Sequence, residues 1–136
     1  MTHVKVTDLT AWADDRGLLV AGQFPHDIPF APVRIFIVSR TPDASVRGGH
    51  AHRTCHQFLI AVHGRVEVEW DDADGTTVAV LDDPTQGLYI PPLAWARQTY
   101  RDADSVLIVL ASHAYDVQDY IDDRVEAARC RAGHGA

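Results

Sequence analysis

Hydrophobic positions gather in short, strand-length runs separated by turn residues along most of the chain. The clearest run is Arg65-Val66-Glu67-Val68-Glu69-Trp70, which predicts a strand with Val66, Val68 and Trp70 facing a core and the charges facing water. Arg34 to Ser39 is rich in β-branched and aromatic residues, and Gln57 to His63 is a second apolar run. Thr76 to Leu81 and Leu88 to Ile90 also read as strands, and Ser105 to Ala111, the most apolar, reads as a central one. Asp71 to Gly75, Asp82 to Gly87 and Pro91-Pro92 supply the turns between them. Short strands at intervals of about ten residues indicate a β-sandwich or barrel. One helix is expected, over 117–131, with Tyr120, Ile121, Val125 and Ala128 at helical spacing and Asp116 as its N-cap. Residues 132–136 are expected to fray. No repeat or linker divides the chain, so its 136 residues make one domain large enough for its own core.

Composition narrows the function. A formal net charge of -7 argues against broad binding to nucleic acid or to an anionic membrane, while leaving room for a local basic pocket. Cys55 and Cys130 are too few for a disulfide framework and read as reduced thiols. The start, Met-Thr-His-Val-Lys-Val, lacks the apolar core of a signal peptide, and no apolar run is long enough to span a bilayer. A soluble, cytoplasmic protein is expected.

The chemistry concentrates in residues 48–64. His50 and His52 are two positions apart, which on a strand puts both imidazoles on one face. Such a pair is either part of a metal site or an acid–base pair. The pattern His50-x-His52-x4-Gln57-x6-Gly64 resembles the first cupin motif, and Gly87-x3-Pro91-x3-Trp95, within 87–98, resembles the second. That resemblance implies an all-β fold: a single cupin (RmlC-like jelly-roll) β-barrel with a short C-terminal helix. Cupin metal sites usually combine three histidines with one carboxylate. Here an amide, Gln57, stands for the carboxylate, and Trp95 stands near the late histidine. An indole offers a metal no lone pair, and an amide oxygen is a weak ligand. His56 and His63 read as surface or structural histidines. The expectation is therefore no metal and no cofactor. His50 and His52 are then free to exchange protons near neutral pH, backed by Arg47.

A longer ordered set of segments carries a closer resemblance. It comprises Asp15-Arg16-Gly17-x-Leu19, Ile28-Pro29-Phe30, Arg47 to Arg53, Cys55 to Phe58, Asp82-Asp83-Pro84, Gly87 to Pro92 with Trp95, Leu107 to Ser112 and Tyr115-Asp116-x3-Tyr120-Ile121. Together these resemble the sugar 3,4-ketoisomerases, the WxcM-like cupins, over about residues 15–122. The resemblance implies a metal-independent homodimer acting on a dTDP-linked 4-keto-6-deoxyhexose, whose 3-keto product feeds aminated deoxysugars of antibiotics and surface glycans. It implies that His50 and His52 move protons between adjacent carbons through an enediolate, with Arg47 as the stabilising cation. Arg34, Arg97 and Arg101 are candidates for the diphosphate, and Gln57, Tyr89 and Trp95 for the rest of the substrate pocket.

Two departures mark this chain. Where the family usually reads Tyr-Ile-Tyr-Asp, this sequence has Ile37-Val38-Ser39-Arg40, and where it reads Tyr-Ile-Arg, this one has Tyr120-Ile121-Asp122. Three readings follow. The first is a ketoisomerase whose lost roles have moved to Arg40 or Tyr100. The second is a barrel recruited to another proton transfer, such as a cyclisation or dehydration in a natural-product pathway. The third is a non-catalytic sugar-binding cupin.

Overall fold

The computed structural model describes residues 3–134. Twelve strands, β1 (Lys5–Asp8), β2 (Thr10–Asp14), β3 (Gly17–Ala21), β4 (Arg34–Val38), β5 (Ser45–His52), β6 (Gln57–His63), β7 (Val66–Asp72), β8 (Gly75–Leu81), β9 (Gln86–Ile90), β10 (Trp95–Tyr100), β11 (Val106–Ala111) and β12 (Tyr120–Ile121), precede one helix, α1 (Arg124–His134). Two five-stranded antiparallel sheets, ordered β1-β9-β6-β11-β4 and β12-β5-β10-β7-β8, lie face to face, and β2 and β3 form a separate hairpin. The all-β expectation holds, but closure is partial. β4 and β5, which flank one side of the stack, share no ladder, so the structure is a two-sheet sandwich with an open seam and not a closed barrel.

Period-two patterning sets what each sheet buries. Val66, Val68 and Trp70 face inward with Leu59, Ala61, Leu88, Ile90, Leu107 and Val109, and all are buried. The opposite face of β6 carries Phe58, covered by Leu9, Ile28 and Phe30 from the N-terminal segment. On the outer face of the other sheet, Ala51, Trp95 and Ile121 meet Leu93 and Ala127 of α1. The outward charges of β7 are paired there: Glu67 with Arg101, and Glu69 with Arg97 and Arg124. Arg124 also grips Asp71 through two guanidinium nitrogens and lies 4.2 Å over the Trp95 ring, fixing α1 to the sheet.

The helix differs from the one expected over 117–131. Asp116 does cap a helical turn, accepting from Gln118 N, but the turn is a 3-10 turn of three residues, Val117–Asp119. Tyr120 and Ile121 then pair with His52 and Ala51, because a strand there buries Ile121 beside Trp95. Asp123 accepts from Val125 N and starts α1 afresh. The helix runs to His134, so 132–134 are helical, and residues 135–136 lie outside the described residues. None of the described helices is long and apolar enough to cross a membrane.

Packing between β6 and β9 leaves no spare volume. A Cβ on Gly87 would overlap Cζ of Phe58, a ring that is itself fully buried. Gly87→Ala should therefore destabilise the fold by about 1–3 kcal/mol through overpacking, read as a lower urea midpoint with an unchanged m-value.

Candidate active site

A cavity of about 370 Å³ lies between the sheets, at the small end of the usual range for small-molecule sites. Its exposed wall residues, Phe36, Ile37, Ser39, Arg47 and Gly48, lie on β4 or just after it and on β5, so it opens through the seam. Leu59, Ile90, Ala94, Ala96, Leu107 and Val109 make an apolar interior. The polar wall residues include Arg47, His50, His52, Gln57, Gln98, Tyr100 and Tyr120.

On an unbroken strand Arg47 would face away from His50 and His52, because positions 47 and 50 differ by an odd number. Gly48 and Gly49 resolve this conflict. Both have φ 82°, in the region that favours glycine, and the β5–β10 register shifts beside them. The resulting bulge re-phases the strand so that 47, 50 and 52 all line the cavity. Gly48 also lets β10 come close: a Cβ there would lie 2.7 Å from Oε1 of Gln98 and 3.1 Å from the Ala96 carbonyl oxygen.

The two imidazole rings are 5.0 Å apart and nearly perpendicular. Tyr120 touches both, with its ring 4.6 Å from His50 and 4.5 Å from His52. Nε2 of His52 is buried without a hydrogen-bond partner. Burial chiefly, then the neighbouring His50 and Arg34, hold the His52 pKa down to about 4, against an opposing pull from Asp119. Burial likewise lowers His50, opposed by Asp122 and a hydrogen bond to the Gly48 backbone. Both shifts favour the neutral ring at pH 7. Asp119 also fixes the segment after β5, accepting from Thr54 N, Thr54 Oγ1 and Cys55 N.

The remaining candidates divide by strand parity. Gln57 lines the cavity. Arg34 stands outside the wall, its guanidinium 5.4 Å over Phe36, a wall residue, and 5.9 Å over Tyr115, while Nε donates to the His113 carbonyl. Tyr89, Trp95 and Arg97 are not wall residues. Tyr89 turns to the outer face of β9, sharing a 2.7 Å hydrogen bond with His56 Nδ1 beside Phe30. Arg97 lies on the outer face of β10 and is committed to Glu69. Trp95 packs under α1, since its neighbour Ala96 takes the inward phase and pairs with His50. The residue facing the histidine pair from β10 is therefore Ala96, a methyl group. Among the wall residues the possible neutral metal donors are two imidazoles and two amides, with no carboxylate, a poor set for a transition metal. His63 pairs with Asp104 at the surface. Sequence reasoning missed Tyr120 as a site residue, although it lay within the Tyr115-Asp116-x3-Tyr120-Ile121 segment. Gln98 was missed without any such signal.

A fold of two facing sheets with a histidine pair in the cleft between them defines a cupin-like enzyme site, and comparison with known proteins narrows it. The family model described as FdtA: WxcM-like, C-terminal, matches residues 2–131, and the chain belongs to that family. It is 37% identical over 117 residues to a TDP-4-oxo-6-deoxy-alpha-D-glucose-3,4-oxoisomerase of Aneurinibacillus thermoaerophilus, covering 86% of this chain and 84% of the relative. The sugar 3,4-ketoisomerase QdtA of Thermoanaerobacterium thermosaccharolyticum, solved in complex with TDP, superposes with a TM-score of 0.90 at 32% identity, over 98% of this chain and 97% of that one. A histidine-to-asparagine mutant of QdtA, solved with TDP-4-keto-6-deoxyglucose, gives a TM-score of 0.90 at 31% identity, over 98% and 96% of the two chains.

The lowered His52 pKa has a thermodynamic consequence. The unfolded chain takes up this proton near pH 6.5, while the folded protein resists it until about pH 4. Between those values the unfolded state binds more protons, so stability falls as pH falls; below about 4 the loss is complete. The drop across the window should be on the order of 3 kcal/mol. Urea melts from pH 7 to 4 should show it in the wild type and a smaller one in His52→Asn. NMR titration should place the His52 ring near pH 4 and the His50 ring below the ordinary imidazole value.

Proposed function

We propose that this protein is a sugar 3,4-ketoisomerase that moves the keto group of a dTDP-linked 6-deoxyhexose from C4 to C3 in deoxysugar biosynthesis. The observation that carries this reading is the His50–His52 pair, 5.0 Å apart, with the unpartnered Nε2 of His52 in a cavity of sugar-ring size. One imidazole removes the proton from C3 of the 4-keto sugar, giving an enediolate. A proton is returned to C4, and the C3 hydroxyl proton passes to the C4 oxygen, leaving a ketone at C3 and an alcohol at C4. Atoms and electrons balance without any co-reactant. A neutral imidazole is the form required of the base, and negative charge growing on the enediolate favours the imidazolium beside it. Arg47, on the same wall, stabilises that anion. Tyr120 holds the two rings in place.

The cavity has room for the sugar, which leaves the nucleotide on the rim of the seam. Arg34, braced on Phe36 and Tyr115, is the diphosphate partner favoured by position. A homodimer fits the apolar residues left exposed on the hairpin, Trp12, Leu18 and Leu19, and on β4, Ile35 and Ile37. Two free cysteines, Cys55 and Cys130, fit a reducing cytoplasmic setting.

Incubation with dTDP-4-keto-6-deoxyglucose in deuterated water should place deuterium on the sugar ring and yield the 3-keto isomer, both visible by NMR. His52→Asn should retain the fold and lose at least about a hundredfold in turnover. A folded wild type that neither exchanges nor isomerises this substrate refutes the proposal. Removing the charge with Arg34→Gln should weaken the dTDP-induced thermal shift without abolishing slow turnover at saturating substrate.

A further inference from the structure

Tyr100 is a wall residue of the cavity, at the end of β10 away from Ala96, and has no assigned role. Its side chain is fully buried, it lines the cavity, and its hydroxyl meets no hydrogen-bond partner. A phenylalanine would fill the same volume without burying a polar atom that no protein group satisfies. On β10 it is in phase with Ala96 and Gln98, and Ala96 pairs with His50. Tyr100 therefore faces the same space as the histidines from further along the strand. Arg40, the other residue to which a lost polar role could have moved, is exposed and is not among the wall residues.

We propose that Tyr100 is a specificity-determining residue whose hydroxyl donates to the 2-hydroxyl of the bound sugar. This inference rests on the ketoisomerase reading, which limits what the phenol can meet. In a 4-keto-6-deoxyhexose joined through C1 to a nucleotide, C3 and C4 react and C6 carries no oxygen. The 2-hydroxyl is the one free hydroxyl that stays unchanged through the reaction. Burial pushes the phenol pKa up to about 12, with Arg47 opposing, so the group remains a donor throughout the working pH range. A polar group left unpaired when the ligand lacks its partner discriminates more strongly than a lost apolar contact does.

The test compares wild type and Tyr100→Phe on dTDP-4-keto-6-deoxyglucose and on its 2-deoxy analogue. The wild type should prefer the 2-hydroxy substrate by at least about tenfold in kcat/KM. In Tyr100→Phe that preference should shrink to about twofold or less, with a melting temperature equal to or above that of wild type. The ratio is taken within one protein, so a reduced folded fraction cancels. An unchanged preference in the variant overturns the role of Tyr100 and leaves the ketoisomerase reading standing. A folded wild type inactive on both sugars overturns that reading and the proposal with it.

Discussion

The site depends on a conflict between strand periodicity and the positions of three side chains. A regular strand presents every second residue, so it can aim His50 and His52 into the cavity but not Arg47 as well. The two left-handed glycines, Gly48 and Gly49, insert the half-step that brings a cation and two imidazoles onto one wall. Gly48 also allows the Gln98 side chain and the β10 backbone to close against β5. A side chain at position 48 would meet strained φ and an immovable carbonyl together.

Around that wall the sheet separates its electrostatics by face. The arginines and carboxylates of β7, β10 and α1 neutralise one another on the outside, where Glu69 alone is shared by Arg97 and Arg124. The inner face is left with neutral imidazoles, amides and two phenols among aliphatic side chains. In such surroundings a charge that develops during reaction is poorly screened, and a single guanidinium has correspondingly more effect on it. Arg124, stacked on Trp95 and bonded to Asp71, holds the helix on the back of the same strands.

Much of this was legible in the residues. Alternation located the strands of the core, and His50-x-His52 placed the imidazoles together because one face of one strand is a local property. What failed was parity across elements. Trp95 seemed to stand at the place of a third histidine, yet the register puts Ala96 opposite His50 and turns Trp95 toward α1. The conclusion about metal ligands survives this change, since a methyl group coordinates no better than an indole. Tyr89 and Arg97 were misplaced in the same way, their faces being fixed by neighbouring strands. The segment 117–121 has helical spacing, but hydrogen bonds from β5 and the burial of Ile121 outweigh it. No signal within one strand could have revealed that Tyr120 and Gln98 line the same cavity as the histidines.

The open seam between β4 and β5 has an evolutionary implication. In many enzymes a loop forms the doorway, and its shape drifts as the loop sequence changes. Here the doorway is the gap between two sheets that do not meet, so its width is set by strand length and sheet twist. Those are collective properties of the backbone, and substitutions on the exposed turns leave them nearly untouched. The chain can thus exchange side chains on β4 and just after it, as Ile37 and Ser39 illustrate, and alter what enters without rebuilding the entrance.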